Sequence, residues 1–330
     1  MQYSGHLAEN DPLYGYLKYQ IFPQLGCDCR HGIRVFGTNG SNAVYIYEER
    51  CSCRRVVGKF FYSHRQLNWD LAYRHLEREH RSILEFRNYI DNIHYTAGVL
   101  GRNDDLNRLL VLEYCYGRRL DEIITEAIHH NNPQLLYDKL TALAWFLANL
   151  HNRSARQYNR VDFKRLSNYY NLIINHLQII TPCGYSEYLR ELGNNWYNTP
   201  ALWQDCQVLV HGDATPSNFF FGDGMHVIAF DLERSHYTDR LFDAGRICAE
   251  LKHFFLHHTG NGYAAEPFIG HFLWEYSCHF PDRERTFDSI TGKVPFYMGL
   301  NLLRIARNSY LPLDYRQKLI SEASECLRRK

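Results

Sequence analysis

The pattern of the sequence changes character near Glu113, and this change constrains the fold more than any other feature. Before Glu113, short apolar runs predict strands around one long amphipathic helix, whereas the later sequence is mostly helical. The predicted elements are strands at Ile33–Phe36, Ala43–Glu48, Val56–Phe61 and Leu109–Tyr114, the helix Trp69–Ile90, and one later β block at Val208–Asp231. We therefore expect an α+β chain of two lobes, a small β-sheet lobe joined by one connection to a larger helical lobe. A cleft between two such lobes is the usual place for a small-molecule site.

The charge balance argues against two classes of protein. Lys and Arg total 37 against 36 Asp and Glu, which gives a formal net charge of +1. This balance gives no support to a nucleic-acid binder or to a polybasic membrane protein. Met1–Asn10 lacks a signal-peptide pattern, and the apolar stretch Leu140–Leu150 is far shorter than the roughly 20 residues that span a bilayer. Ten cysteines without a secretory signal indicate reduced thiols, so we expect a cytoplasmic protein with no nucleic-acid or membrane partner.

The strongest local signal is the run His211-Gly-Asp213-Ala-Thr-Pro-Ser-Asn218, followed by two apolar runs around Gly222-Asp-Gly224. Gly-Asp-Gly between apolar runs predicts a hairpin turn, which brings Asn218 and Asp231 to the same end of the hairpin. Two oxygen ligands at that end suit a magnesium ion. Asp213, on the entering loop, is then placed to orient a hydroxyl and accept its proton in phosphoryl transfer. The alternative is that Asp213 and Asn218 are turn formers and that Asp231 caps a strand end.

A second constellation links the third strand to the long helix. Lys59 alternates with Val57 and Phe61, so it points to an otherwise apolar face of the sheet. The apolar stripe of the helix consists of Leu76, Glu79, Ile83, Phe86 and Ile90. Because Glu79 lies within the stripe, we expect it to pair with Lys59, whereas Glu77 is off the stripe and is expected to face solvent. The alternative is a lysine whose amine extends to solvent and a peripheral glutamate.

His-Gly-Asp-x-x-x-x-Asn with a strand-borne Asp downstream resembles the aminoglycoside phosphotransferase and choline kinase family, small-molecule kinases related to the protein kinases. The resemblance implies a bilobal protein-kinase-like fold. It implies a nucleotide-binding lobe over residues 1–113, of which 1–26 lie outside the resemblance, and a catalytic and acceptor-binding lobe over residues 114–330. It also implies ATP and Mg²⁺, with Asp213 as the catalytic base and with Asn218 and Asp231 as metal ligands.

The same resemblance implies nucleotide contacts in the N-terminal half. Lys59, paired with Glu79, matches the lysine that holds the α- and β-phosphates. The run Ser41-Asn42-Ala-Val-Tyr45 is similar to the family's Ser-Asn-x-Val-Tyr turn, so Ser41 and Asn42 are expected to cover the phosphates. The kinase Gly-x-Gly-x-x-Gly pattern is absent, and taken alone this run predicts an ordinary hairpin turn. Val111-Leu-Glu113-Tyr-Cys115 resembles the hinge, where the backbone of Glu113 and Cys115 is expected to hydrogen-bond adenine.

The spacing after Asp231 bears on the acceptor. Only about a dozen residues separate Asp231 from Asp243, without Ala-Pro-Glu, whereas a protein kinase needs a longer peptide-binding segment there. We therefore expect a small-molecule hydroxyl as acceptor, on an aminoglycoside-, amino-alcohol- or sugar-like molecule. Two alternatives remain open: a nucleotide-binding pseudokinase that acts as a scaffold, and an atypical protein kinase, which the short segment disfavours.

Several side chains of the C-terminal half have two interpretations each. Asp243 is expected either to cap the following helix or, as the resemblance implies, to support the catalytic loop. Glu233 is expected either to be exposed to solvent or to add a carboxylate near the metal. Acidic and aromatic residues here either hold a cationic acceptor or form solvated helix faces; they are Asp239, Glu250, Glu266, Trp274, Glu275 and Tyr276.

A separate feature is the pair of Cys-x-Cys runs, Cys27-Asp-Cys29 and Cys51-Ser-Cys53. If the first two strands form a hairpin, the two runs converge at the end of the sheet away from the phosphates. Four thiolates at one place suit a structural zinc ion. The alternative is a set of free thiols, buried in the lobe.

Overall fold

The computed structural model of the protein describes residues 2–38, 43–64, 66–90, 94–130, 132–181 and 184–328. The chain divides into two units with separate cores. Unit 1 comprises Met1–Asn88, Thr96–Tyr116 and Ile228–Glu233, and unit 2 comprises Tyr89–Tyr95, Gly117–Val227 and Arg234–Lys330. The chain therefore passes between the units several times, where the sequence pattern predicted a single connection.

The N-terminal part of the chain is built on an antiparallel sheet. Its strands and helices are β1 (Gln2–His6), α1 (Pro12–Tyr16), β2 (Ile33–Gly37), β3 (Ala43–Glu49), β4 (Arg55–Phe60), α2 (Trp69–Arg87), β5 (Tyr95–Thr96), β6 (Val99–Asn103) and β7 (Leu109–Glu113). Six of the strands form one sheet in the order β1-β2-β3-β4-β7-β6. The predicted strands are present with ends shifted by about one residue, and the long helix ends at Arg87, three residues before the predicted Ile90.

The first residues of the chain are part of this lobe rather than an appendage. β1 pairs antiparallel with β2, and α1 continues through a π-helical turn at Leu17–Ile21 and a 3₁₀ turn at Phe22–Leu25. Leu17, Ile21 and Phe22 are buried in one apolar cluster with residues of β2, β4 and β7. The segment 1–26, which lies outside the sequence resemblance, therefore completes the core of unit 1.

The two faces of the sheet differ in what they carry. In the β3–β4 pair, Val44 lies opposite Lys59 and Tyr45 lies opposite Gly58, so the lysine and the tyrosines face opposite sides. Gly58 is required because a Cβ there would lie 2.8 Å from a ring carbon of Tyr47. The sheet thus directs Lys59 to one face and the aromatic side chains of β3 to the other.

Helix α2 buries the predicted stripe. Asn68 caps its N-terminus by accepting a hydrogen bond from the Leu71 N–H at 2.8 Å. Leu76, Glu79, Ile83 and Phe86 are all buried. Glu77, predicted to face solvent, is instead half-buried between Arg81 and Arg102, which form ion pairs with it. The prediction for Glu77 is wrong because Arg102, from β6, covers its side chain.

The C-terminal part of the chain is mainly helical. After β7, the elements are β8 (Arg118–Arg119), α3 (Leu120–His129), α4 (Pro133–Arg153), β9 (Arg156–Arg160), α5 (Phe163–Ile180), α6 (Ser186–Tyr197), β10 (Cys206–Val210), β11 (Phe219–Phe221), β12 (Val227–Ala229), β13 (His236–Thr238), α7 (Leu241–Thr259), α8 (Glu266–Ser277), α9 (Arg283–Thr291), α10 (Val294–Ala306) and α11 (Leu313–Arg328). Strand β10 lies between β13 and β9, antiparallel to both.

The helical core of unit 2 forms around α7 and α10. Helix α10 packs against α7 and α11, and α4 packs against α8. The first twelve residues of α7, from Leu241 to Lys252, are buried on every side. Within this stretch, the charged side chains each pair with groups outside α7; they are Asp243, Arg246, Glu250 and Lys252. Among the described residues, none of the helices is both long enough and apolar enough to cross a bilayer.

Candidate active site

The buried ammonium of Lys59 contacts two carboxylates in unit 1. Its Nζ lies 2.5 Å from Oε2 of Glu79 and 2.9 Å from Oδ1 of Asp231. The side chains of Lys59 and Glu79 are 8% and 2% exposed, so the first of these contacts is largely shielded from water. The predicted pairing of Lys59 with Glu79 is therefore present, and Asp231 joins it as a third member.

The charges in this contact determine its protonation. Burial lowers the pKa of Lys59, but the negative charges of Glu79 and Asp231 outweigh burial and raise the pKa above its ordinary value. Burial raises the pKa of Glu79 to about 7, against the lowering effect of Lys59. One permanently charged ammonium is thus shared between two carboxylates that compete for it.

Asp231 and Glu233 extend this contact into an acidic cluster. Ligand-type oxygens of Glu79, Asp231 and Glu233 all lie within 4.8 Å of one another. Asp231 adopts a left-handed backbone conformation with φ of 57°, which is uncommon outside glycine and costs energy. Glu233 is half-buried, so the expectation of simple solvent exposure is wrong. Three carboxylates around one ammonium leave an excess of negative charge, which fits a divalent cation with oxygen ligands.

The loop that carries Asp213 is tied to helix α7 in unit 2. The N–H groups of His211 and Gly212 donate to the two carboxylate oxygens of Asp243, at 2.6 and 3.0 Å. Gly212 has a φ of +80°, and a Cβ there would lie 2.1 Å from the carbonyl oxygen of Arg234. Only glycine fits this position. The loop geometry therefore depends on a glycine and on one buried carboxylate.

The role of Asp243 as a support for the loop replaces its predicted alternative as a helix cap. Helix α7 begins at Leu241, and the Leu241 N–H donates to Oδ1 of Asp239 at 2.8 Å, so Asp239 rather than Asp243 satisfies the first N–H of the helix. Burial raises the pKa of Asp243, but its hydrogen bond with His151 and nearby positive charge outweigh burial and lower the pKa. Asp243 is thus a buried, ionised carboxylate that accepts hydrogen bonds from the backbone of the loop.

Arg246 fixes the carboxylate of Asp213. One guanidinium nitrogen lies 2.5 Å from Oδ1 of Asp213 and 3.0 Å from the carbonyl oxygen of Gly212. The Nε atom of Arg246 donates to Asn301 on α10 at 2.9 Å. Burial and the neighbouring Arg304 lower the pKa of Arg246 to about 10, so it remains a cation at neutral pH. The sequence pattern did not single out Arg246, because every position of this stretch of α7 is buried and no periodicity distinguishes it.

Asn218 lies on the same loop as Asp213. It ends a 3₁₀ turn at Pro216–Asn218, and its amide nitrogen donates to the carbonyl oxygen of Asp213 at 2.9 Å. This bond leaves the amide oxygen Oδ1 as the ligand-type atom of the side chain. Asn218 therefore stabilises the loop conformation and also presents an oxygen, so the turn-former and metal-ligand interpretations are compatible.

The remaining predicted nucleotide contacts are described only in part. Glu113 ends β7, where its N–H donates to the carbonyl oxygen of Gly98 at 2.9 Å and its carboxylate accepts from the Gly98 N–H at 2.8 Å. Its side chain is therefore structural. Cys115 is half-buried in the segment after β7, and burial raises its pKa to about 12. Ser41 and Asn42 lie outside the described residues.

The residues suggested for a cationic acceptor do not form an open acidic site. Asp239 is fully buried and accepts from the Tyr297 hydroxyl at 2.7 Å, and Glu250 pairs with Arg304 at 2.6 Å. Tyr276 is also fully buried, with its hydroxyl 2.8 Å from Nδ1 of His151. Glu266 pairs with the buried Lys252. These groups hold the helices together, so neither predicted interpretation describes Asp239, Glu250 or Tyr276.

The cysteine runs do not form a zinc site. Cys27 and Cys29 are buried, Cys51 and Cys53 are exposed, and all four thiols are free. Sγ of Cys27 lies 3.2 Å from the Ser52 hydroxyl. Within the described part of the chain, the acidic cluster around Asp231 is the only group of three or more ligand-type side chains close enough to share an ion. The structural zinc is therefore not supported.

Comparison with known proteins identifies one family whose model matches this chain. A model of the phosphotransferase enzyme family, APH, matches residues 52–275. A search of curated proteins gives no significant sequence match.

The fold is similar to those of several solved phosphotransferases. The structure of APH(2'')-IIa in a ternary complex with streptomycin and ATP has a TM-score of 0.58 at 16% identity, covering 97% of this chain and 99% of that one. Plasmodium vivax ethanolamine kinase has a TM-score of 0.57 at 15% identity, covering 96% and 89%. Macrolide 2'-phosphotransferase from Brachybacterium faecium has a TM-score of 0.53 at 13% identity, covering 95% and 98%. The fold is thus protein-kinase-like, as predicted, and the chain belongs to the phosphotransferase enzyme family as a small-molecule kinase.

Proposed function

We propose that the protein transfers the γ-phosphate of ATP to a hydroxyl group of a small molecule, with Mg²⁺ as cofactor. The observation that carries this proposal is the contact of the buried Lys59 ammonium with both Glu79 and Asp231. A lysine held by a helix glutamate beside a metal-type aspartate is the arrangement that kinases use to bind nucleotide phosphates.

Unit 1 is proposed to hold the nucleotide. Lys59 would contact the α- and β-phosphates, while Glu79 keeps its ammonium in place. The carbonyl oxygen of Glu113 and the N–H of Cys115 would bind the adenine edge, and Ser41 with Asn42 would cover the phosphates. Since the N–H of Glu113 already donates to Gly98, only its carbonyl oxygen is proposed for adenine.

The metal is proposed to bind Asp231 and Asn218, with Glu233 as a further carboxylate. The support is the acidic cluster around Asp231, whose negative charge exceeds what Lys59 neutralises. When bound, Mg²⁺ would neutralise charge on the phosphate oxygens. The cluster is made of hard oxygen donors, which is the donor set that this ion prefers.

Asp213 is proposed as the catalytic base of unit 2. Its carboxylate would orient the acceptor hydroxyl and take its proton as the oxygen bonds to the γ-phosphorus and the bond to ADP breaks. Arg246 holds one carboxylate oxygen at 2.5 Å, while the side chain keeps 18% of its surface exposed. Arg246 thus fixes Oδ1, while Oδ2 lies 3.8 Å from Nη1 of the exposed Arg234 and is proposed to face the acceptor hydroxyl.

The acceptor is proposed to be a small molecule of the aminoglycoside-, amino-alcohol- or sugar-like class. The short segment between Asp231 and α7 leaves no room for the peptide-binding part of a protein kinase. Similar folds occur in an aminoglycoside phosphotransferase solved in a complex with streptomycin and ATP and in an ethanolamine kinase, so proteins of this fold are associated with chemically different small molecules. The fold therefore supports phosphoryl transfer without selecting one acceptor.

The proposal is tested by ADP release from Mg-ATP with a panel of hydroxyl compounds, measured above the acceptor-free rate. We expect acceptor-dependent ADP release that disappears when EDTA removes the metal. Asp231→Asn should lower the rate by at least about a hundredfold, because it removes a proposed metal ligand. Asp223→Asn, in the exposed turn between β11 and β12, is the matched control and should retain the rate. Nucleotide binding without transfer to any compound would instead indicate a scaffold protein.

A further inference from the structure

The N-terminal segment and the sheet of unit 1 border a cavity of about 370 Å³. The cavity lies on the face of the sheet that carries Tyr45 and Tyr47, opposite the face that carries Lys59. All the described residues that line it belong to unit 1. Its volume lies in the range of small-molecule sites. The cavity is therefore separate from the residues proposed for the nucleotide and the metal.

Backbone hydrogen bonds hold the walls of this cavity in place. Leu7, which follows β1, donates its N–H to the carbonyl oxygen of Ile33 at 2.9 Å. Tyr62, which follows β4, donates its N–H to the carbonyl oxygen of Asn107 at 3.1 Å. Leu7, Tyr62 and Asn107 all line the cavity. Because these segments are anchored, a ligand would find the walls already in position, which reduces the entropic cost of binding.

Aromatic rings form a large part of the lining. The four rings are those of Tyr45, Tyr47, Phe60 and Tyr62. The rings of Tyr45 and Phe60 meet edge to face with their centroids 5.9 Å apart, and the ring of Tyr62 meets that of Trp69 in the same way at 4.7 Å. These contacts restrict the orientation of the rings. The negatively polarised face of an aromatic ring attracts a cation within about 6 Å.

The ionisable side chains of the lining also favour a cation. Among the described residues around the cavity, Asp11 is the single acidic residue and His64 the single basic one, with no lysine or arginine. Oδ1 of Asp11 accepts the Leu13 N–H at 2.9 Å and caps α1. This bond leaves Oδ2 of the exposed carboxylate available to a ligand. A carboxylate beside aromatic rings complements a positively charged group.

Tyr47 supplies the lining with a buried hydroxyl group. The residue is 3% exposed, and its ring lies over Gly58, where a Cβ would be 2.8 Å from a ring carbon. Within the described part of the chain, no group is hydrogen-bonded to the Tyr47 hydroxyl. A buried hydroxyl without a partner costs free energy, which a hydrogen bond from a ligand would recover. The hydroxyl oxygen is an acceptor for an N–H donor.

We propose that this cavity binds a small organic ammonium compound, a protonated amine on an aromatic or hydrocarbon skeleton. Its ammonium group would donate to Asp11 and to the Tyr47 hydroxyl, and its skeleton would lie against the rings of Tyr45 and Phe60. The site is a binding site only, and no bond of the ligand forms or breaks there. Since the cavity lies on the sheet face opposite Lys59, the compound is a ligand of unit 1 and not the phosphate acceptor.

The experiment is a calorimetric titration with three probes that have similar skeletons and different charges: benzylamine, benzyl alcohol and benzoate. We expect benzylamine to bind at one site per chain with a Kd of about 1 mM or lower, at least about tenfold more tightly than benzyl alcohol. Added salt should weaken the binding of benzylamine. Saturating Mg-ADP should change its Kd by less than about threefold, because the nucleotide is proposed to bind on the other face of the sheet.

Three variants and two controls locate the site. Asp11→Asn keeps a residue that caps α1 but removes the charge, and Tyr47→Phe removes only the hydroxyl; each should weaken benzylamine binding by about fivefold or more. Tyr45→Leu should weaken it by about threefold or more through the loss of a ring. The controls are Asp28→Asn and Tyr19→Leu, at exposed positions of unit 1 outside the cavity, and they should leave the Kd unchanged.

Equal binding of benzylamine and benzyl alcohol, or tighter binding of benzoate, would overturn the assignment of a cation. Binding that Mg-ADP displaces, or that Asp11→Asn and Tyr47→Phe leave unchanged, would show that the cation binds elsewhere on the protein. Absence of benzylamine binding up to about 10 mM would overturn the site itself. Each of these results leaves the proposed phosphotransferase function intact.

Discussion

The surroundings of Lys59 explain how this side chain can be both buried and charged. A buried ammonium is costly unless it is paired and hydrogen-bonded, and here two carboxylates compensate it at 2.5 and 2.9 Å. Removing one partner of such a group leaves an uncompensated charge, which is more harmful than replacing the whole contact. The contact is therefore sensitive to single substitutions.

Glu79 and Glu77, two residues apart on α2, provide a matched pair of tests. Glu79→Gln should reduce phosphoryl transfer by about tenfold or more, mainly through a higher KM for nucleotide, because the ammonium of Lys59 loses its anchor. Glu77→Gln removes partly exposed ion pairs, which contribute about 0–1 kcal/mol, and should change the rate by less than about threefold. Steady-state kinetics with varied ATP measure both effects; equal losses in the two variants would refute the assignment.

Alanine substitutions at Gly212 and Gly224 distinguish the effect of backbone strain from that of steric collision. Both have a positive φ, but a Cβ at Gly212 would meet the Arg234 carbonyl oxygen at 2.1 Å, whereas a Cβ at Gly224 meets nothing within 4 Å. Gly212→Ala should therefore destabilise the protein by clearly more than the roughly 1–2 kcal/mol expected for strain alone at Gly224→Ala. Urea unfolding of the two variants checks this, and the explanation fails if they are equally stable.

Among the residues of the site, those on regular patterns were predictable. Lys59 and Glu79 are charged residues at positions where strand alternation and helix periodicity call for apolar ones. Arg246 and the carboxylate of Glu113 make contacts that no local sequence pattern predicts. Arg246 reaches a loop more than thirty positions away in sequence, inside a helix segment that is buried all round. Such long-range contacts depend on the packing of helices rather than on any local pattern.

At the scale of elements, the N-terminal segment is the clearest departure from expectation. Its π-helical and 3₁₀ turns lack the regular periodicity on which helix prediction depends. Nevertheless, Leu17, Ile21 and Phe22 fill the core beneath β2, β4 and β7. The segment is thus an integral part of unit 1 that only tertiary packing reveals.

Leu17 and Tyr19 test whether this segment supports unit 1. Leu17 is completely buried, and Leu17→Ala should lower the free energy of unfolding by about 2–5 kcal/mol. Tyr19 is 72% exposed, and Tyr19→Ala should change it by less than about 0.5 kcal/mol. Denaturant titration of both variants provides the measurement. A Leu17→Ala protein as stable as the wild type would show that the segment is not part of the folded core.

His253, on helix α7, makes a pH-dependent contribution to the free energy of unfolding. Burial, helped by His257, Arg304 and His258, lowers the pKa of His253 to about 4, while its Nδ1 lies 2.7 Å from the Tyr315 hydroxyl. A depressed folded-state pKa means that its stabilising contribution is complete above about pH 6.5 and is lost as the pH falls towards 4.

The test is the difference in unfolding free energy between the wild type and His253→Asn as a function of pH. The wild type should lose up to roughly 3 kcal/mol relative to the variant between pH 7 and pH 4. The difference isolates His253, because buried acids such as Glu250 have a raised pKa and titrate with the opposite sign in both proteins. A difference that does not vary with pH would contradict the assigned pKa.

On the scale of the whole molecule, the residues proposed for the reaction are distributed over the two units. Unit 1 contains Lys59, Glu79 and the acidic cluster, although Asp231 comes from a short segment far along the chain. Unit 2 contains Asp213 and its support from α7.

The most direct test of the account is single-turnover transfer of labelled phosphate from γ-labelled ATP to an acceptor found in the panel. The wild type should place the label on the acceptor. Asp213→Asn should bind ATP within about threefold of the wild-type affinity but transfer at least about a hundredfold more slowly, because the proposed base is lost. Transfer by Asp213→Asn at the wild-type rate would contradict the account.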